Sequence, residues 1–211
     1  MSEMMKMVDR RFKSLIFKIR LVKLYMFLLY KNYLLNSNIK FKFGKKVKLE
    51  KDTKFILGKN SKIEIKNNIL IGRESCIECA QNATIIIGEN VLLTGYNFIV
   101  SMSTINIGNN TIIGEFVSVR DSDHSYRNLN ESIRLFKEDN TRPINISNDV
   151  WIGRGVTILK GVQIGERSVI GANAVVTKDI PQYSVAVGIP AKVIKKYDFE
   201  KRQWVKVCRR G

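Results

Sequence analysis

Histidine occurs once in the 211 residues, and proline and cysteine three times each. A single histidine excludes His-rich metal sites and any mechanism that needs several imidazoles from one chain. Cys76, Cys79 and Cys208 are too few for a disulfide scaffold. Cys76 and Cys79 read C-x-x-C, yet no second cysteine pair or histidine follows at zinc-ligand spacing. With Ile77 between them they read as strand filler, and no metal is expected. Long apolar runs are also missing. The uncharged stretch Leu24 to Tyr30 is far shorter than the ~20 residues of a membrane span. Charges interrupt the N-terminal apolar region and no small-residue cleavage site follows, so no secretory signal is read. The expected protein is soluble or peripheral, and cytoplasmic. Hydrophobic residues at 45% and charged residues at 26% exclude wholesale disorder.

Negative charge is scarce at one end. Residues 1–56 hold fifteen Lys or Arg against four Asp or Glu, net +11 of a total of +17. Within residues 10–35, Phe12, Leu15, Ile16, Ile19, Val22, Met26 and Tyr30 recur at three- and four-residue steps, the helical period. Arg11, Lys13, Lys18, Arg20 and Lys23 punctuate them. Such a basic amphipathic helix can lie in the interface of an anionic membrane, at the inner face of the cytoplasmic membrane. Its apolar stripe can equally pack on the protein or a partner subunit. Nucleic acid is not the expected partner, because no recognition motif accompanies the charge.

The rest of the chain counts in sixes. Ile146, Ile152, Ile158, Ile164, Ile170 and Val176 keep constant spacing. Val150, Val156, Val162, Ser168, Ala174 and Ile180 follow each by four, mostly small or β-branched. The same phase appears at Ile107-Gly108 and Ile113-Gly114, and looser copies lie upstream at Leu57-Gly58, Ile71-Gly72 and Ile87-Gly88, with the phase slipping by two at Ile85 and Ile105. A helical period fails here, and simple alternation does not place small residues. A short strand followed by a tight corner does. Corners need residues tolerant of unusual backbone angles, which explains the glycines, Asn67-Asn68 and Asn109-Asn110. Three six-residue faces make one triangular turn of a parallel β-helix. A β-sandwich, the alternative, has no constant beat.

The run IGRGVTILKGVQIGERSVIGANAVVTKDIPQYSVAVGIPAKVIKKY (Ile152 to Tyr197) resembles the hexapeptide-repeat acetyltransferases, with their left-handed parallel β-helix. The resemblance covers roughly residues 57–196. It implies an all-β fold, a homotrimer, acetyl-coenzyme A as cosubstrate, and sites in clefts between subunits. The expected divisions are a basic segment over 1–56 (helix and first strands), the β-helix over 57–196, and a short tail over 197–211. A prism with flat, partly apolar faces gives the trimer a physical motive.

The beat stops after Val119 and resumes at Ile146. The interruption, 120–143, is polar and non-periodic, as functional insertions in repeat proteins often are. It carries the only histidine, His124, beside Asp121 and Asp123. In the family one histidine acts as general base. Imidazole suits removal of a hydroxyl proton during attack on a thioester, without an acyl-enzyme. Asp121 is a candidate orienter of His124, a role a backbone carbonyl would fill equally well, with Asp123 near the cleft; both aspartates can also be turn formers. Gly153 and Gly155 are candidate oxyanion donors. By resemblance, Trp151 lines the cleft, its plainer role being a lid over the coil edge, and Asn97 binds the acceptor. The resemblance likewise implies that Gly153, Gly155, Ala172, Ala186, Gly188, Pro190, Lys192 and Lys195 border coenzyme A. The tail is too short for the helical domain of acyl-carrier-protein-dependent acyltransferases, which points to coenzyme A as carrier.

VRDSDHSY followed by RPINISNDVWIG is most similar to capsular or surface polysaccharide O-acetyltransferases. The expected acceptor is a saccharide hydroxyl. A free sugar or xenobiotic is the alternative acceptor, and a non-catalytic β-helix binding module the alternative class. A γ-class carbonic anhydrase is excluded by its three zinc histidines.

Overall fold

In the computed structural model, the described residues are 19, 22–24, 26–30, 32, 36–124, 126, 129–130, 132–133 and 140–207. Short strands stack into three parallel sheets, the faces of a left-handed β-helix of about six turns. The first face runs from Lys40–Phe43 to Gln163–Ile164, and the third from Lys54–Leu57 to Val175–Val176. The second begins at Val47–Leu49 and holds nine strands, the last two antiparallel.

Each strand alternates between shaft and solvent, as the two-residue strand period requires. On the first face Ile63, Ile85, Ile105 and Ile144 stand in register, and all are buried. A shaft of stacked isoleucines is continuous from one coil to the next, so each coil covers its neighbour's apolar surface. Asn68, Asn90, Asn110 and Asp149 turn the corner from the first face to the second with φ of 55 to 59°. Short polar side chains tolerate this left-handed region. They also stack: Asn68 Nδ2 donates to Asn90 Oδ1 at 2.8 Å, and Asn90 Nδ2 to Asn110 Oδ1 at 2.9 Å.

The slipping phase of the early repeats has a geometric cause. Lys40, Lys62 and Thr84 pair at steps of 22 residues, Thr84 and Thr104 at 20, and Asn145 and Gln163 at 18. Only the last coils are three clean sixes. The longer coils carry four-residue strands on two faces.

Two boundaries move. The first coil begins at Lys40 rather than 57, within the stretch expected to hold first strands. Its outward lysines dilute the hexad pattern, and Phe41, Phe43 and Phe55 fill it, with centroids 4.8 and 5.2 Å from Phe41. At the other end the chain reverses after Val187. Lys192–Asp198 runs antiparallel to Ser184–Val187, and Gln203–Lys206 adds a further strand. A boundary at 197 therefore cuts a hairpin. Its aromatic side chains meet edge to face: Tyr197–Trp204 at 5.5 Å and Tyr183–Phe199 at 5.0 Å.

The N-terminal helix expected over 10–35 is described in part. Residues 19, 22–24, 26–30 and 32 are helical. Leu28 packs against the core, and Asn32 ties the helix to the first coil through two hydrogen bonds with the backbone of Ile39. Cys76 and Cys79 lie on opposite faces of one strand, as strand filler should. Burial pushes the Cys79 thiol up to about 11. Cys208 lies outside the described residues.

Candidate active site

The interruption leaves the prism at the edge between the third and first faces. It is not wholly irregular. Ser122–Asp123 pairs antiparallel with Asn140–Thr141, forming a stem that narrows its base. His124 is the next residue, and it is exposed.

Three contacts fix this stem. Asp121 is fully buried, and its carboxylate accepts from the Ser101 hydroxyl (2.8 Å) and the backbone N–H groups of Met102 (2.7 Å) and Ser103 (2.9 Å). A buried carboxylate needs this degree of satisfaction. With these partners, Asp121 is not the orienter of His124 expected from the sequence. In the structure it instead pins the corner of the preceding coil. Asp123 Oδ2 lies 2.6 Å from Lys160 Nζ, whose side chain is only 9% exposed. Lys160 occupies the same edge one coil on. Finally the Arg142 backbone bridges the two levels: its N–H donates to the Asp121 carbonyl (2.9 Å), and its carbonyl accepts from Gly161 (3.0 Å). Gly161 has a φ of +76°, and a Cβ there would come within 3.1 to 3.3 Å of the Arg142 side chain. Sequence reasoning missed Lys160, Arg142 and Ser101. A lysine between repeat positions Ile158 and Val162, one coil beyond the histidine, was the available signal.

Trp151 stands elsewhere. It projects from the second face, 56% exposed, while Ile152 beside it is buried. The second face is opposite the edge that carries His124, because that edge joins the other two faces. Trp151 is one member of an outward row in register: Leu70, Leu92, Ile112, Trp151, Val169 and Val185, bounded by Lys48 and Lys195. The two outward rows on the first face are mostly polar: Lys40, Lys62, Thr84 and Thr104 in one, and Lys42, Glu64, Ile86, Asn106, Asn145 and Gln163 in the other.

The positions expected to border coenzyme A divide. Gly153, Gly155, Ala172, Gly188 and Pro190 follow one another along the edge between the second and third faces. A Cβ on Gly153 would approach the Ala172 nitrogen to 2.7 Å, so the coils stack there at glycine distance. Lys192 and Lys195 are exposed on the hairpin beyond. Ala186, in contrast, is fully buried and fills the shaft, so it offers a ligand no side-chain surface.

Two further expectations are corrected. The Gly153 N–H donates to the Ile170 carbonyl and the Gly155 N–H to that of Glu115, both at 2.8 Å. Both donors are committed to the coil ladder and are not free for an oxyanion. Asn97 is also buried. Its side chain accepts from the Gly95 N–H (3.2 Å) and donates to the Gly114 carbonyl (2.6 Å), so it holds a corner from inside rather than an acceptor.

Comparison with known proteins agrees with this architecture. Residues 143–178 match the bacterial transferase hexapeptide (six repeats) family. The chain is 33% identical to a maltose O-acetyltransferase from Clostridium difficile 630 of known structure. That match covers 68% of this chain and 71% of that one, with a TM-score of 0.50. It is 35% identical over 131 residues to WbbJ of Escherichia coli K12, named for O-acetyl transfer in lipopolysaccharide biosynthesis, across 58% of this chain and 65% of WbbJ. The polysialic acid O-acetyltransferase OatWY shares the fold at 21% identity, over 74% of this chain and 88% of that one, with a TM-score of 0.57. The chain spans from 28% to 65% of the length of the curated relatives it matches. It belongs to the hexapeptide-repeat acetyltransferase family.

Proposed function

We propose that the protein transfers an acetyl group from acetyl-coenzyme A to a hydroxyl of a surface or capsular polysaccharide, with His124 as general base. The observation that carries this reading is the setting of the only histidine. It is exposed at the head of an ordered stem, on the one insertion that breaks the coil. His124 removes the acceptor's proton as the hydroxyl oxygen bonds to the thioester carbon. The tetrahedral intermediate then collapses, the carbon–sulfur bond breaks, and the proton returns to the coenzyme A thiolate. Lys160 acts through Asp123 to hold the base of the loop, and is a positioning residue.

The site takes its other wall from a second copy. One chain holds His124 and Trp151 on opposite sides of the prism, so a single substrate reaches both only between chains. An apolar row on one face, meeting the loop-bearing edge of a neighbour, is a heterologous contact. Rotation closes such contacts into a ring, here a homotrimer. Glycine-lined coil edges and exposed Lys192 and Lys195 then supply a thin wall and positive charge for the carrier's phosphates. The name of WbbJ supports a polysaccharide acceptor, and that of the maltose enzyme supports a small sugar as the second reading. This chemistry belongs to the cytoplasm.

The test is thiol release from acetyl-coenzyme A in the presence of polysaccharide fragments, free sugars, or neither. Release dependent on the fragments is the expected result. Release with free sugars alone would move the acceptor to the second reading. No saccharide-dependent release would overturn acetyl transfer to sugars.

A further inference from the structure

Among the described residues of the N-terminal helix, one stripe faces the first coil and a second, apolar stripe is exposed. Leu24, Leu28 and Asn32 are four residues apart, one turn each, and all are partly buried against the first coil. Lys23 and Leu24 line a cavity of about 250 Å³ with Leu49, Glu50, Asp52, Thr53 and Phe55, between the helix and the first coils. On the opposite side Ile19, Val22, Met26, Leu29 and Tyr30 are 46 to 59% exposed. Their spacings of three, four, three and one place them within roughly 100° of one another on a helix of 3.6 residues per turn. A seated helix in a soluble protein shows polar residues there instead.

We infer that this outer stripe docks on an anionic lipid surface, with the helix lying along the membrane. Charge argues for lipid over a second copy. Residues 1–56 carry net +11. An anionic surface attracts such a segment by about 1 kcal/mol per basic residue near it. Packing the same stripes together between copies would instead bring these like charges together. Among the described residues no helix is long and apolar enough to cross a membrane, so the contact is interfacial. Tyr30 suits that depth, with an apolar ring and a polar tip. The inference stands independently of acetyl transfer. It gives the prism a fixed attitude, with its first coil nearest the lipid and its stack rising from it.

The experiment is co-sedimentation of the full chain with phosphatidylcholine vesicles, with and without phosphatidylglycerol. Parallel samples carry Val22→Glu/Met26→Glu, and the mass of each oligomer is measured in solution. Expected are binding to the phosphatidylglycerol vesicles only, its weakening by salt, and at least about a tenfold loss of partitioning in the double variant at unchanged oligomer mass. Binding that is insensitive to the two substitutions, or absent in the parent chain, would overturn the inference. So would a double variant that falls apart into smaller species, since the stripe would then belong to the subunit interface.

Discussion

The loop-bearing edge and the second face of the prism are built from the same repeat, yet they differ in almost every property. The edge is polar, and its order comes from a stem, an ion pair and a buried carboxylate: Ser122–Asp123 with Asn140–Thr141, Asp123 with Lys160, and Asp121 on three donors. The face is flat and apolar outward, and its order comes only from strand register. In the proposed reaction the edge supplies proton transfer and the face supplies contact between copies. Because the two point away from each other, that reading gives each chain two halves of a site.

Removing the chemistry of the edge should have the largest effect. His124→Ala is expected to lower kcat by about 10²- to 10⁴-fold, the range of a general base, while coenzyme A affinity by calorimetry and oligomer mass stay as they were. Near-parental turnover would transfer the role to another group. Next comes the contact of the face. Ile112 is 44% exposed in the parent chain, so Ile112→Arg should leave the coil folded by circular dichroism. It should shift the mass toward monomer, with activity lost by more than roughly tenfold because the sites are open. An intact, active oligomer would place the interface elsewhere. The smallest change tests what positions the base. Lys160→Met keeps the side-chain volume but leaves Asp123 without its partner. A drop in kcat of roughly tenfold is expected, with the KM for acetyl-coenzyme A unchanged, a displaced base being costly to rate rather than binding. Partial recovery in Lys160→Arg would mark the ion pair as the cause. Equal losses in both parameters would make Lys160 merely structural.

The legibility of the sequence followed the same division. The regular coils from Ile146 onward were readable because inward isoleucines, small corner residues and glycines coincide every six positions. Further upstream the steps of 22 and 20 residues blur that beat, and in the first coil lysines and phenylalanines hide it. His124 and Trp151 were readable as residues but not as positions on opposite sides, because that depends on which face each hexad occupies. Asp121, Asn97 and Ala186 were misread for one reason. Sequence shows a polar or small side chain near a motif, but not whether it points into the shaft, and all three are buried. Gly153 and Gly155 show the backbone version of this error. The parallel ladder already takes their N–H groups. Lys160 escaped notice because its partner lies 37 positions away and meets it only when one coil stacks on the next.

In the proposed reaction, His124 of one chain works with Trp151 of another. Trp151→Ala and His124→Ala proteins, each weakly active or inactive alone, can be mixed in equal amounts, dissociated and reassembled. Random assortment in a cyclic trimer gives about one site in four both native side chains, so activity near a quarter of the parent is expected. If the two residues served one site within a single chain, every chain in the mixture would lack one of them. Activity no higher than the mean of the two separate variants would therefore contradict the account.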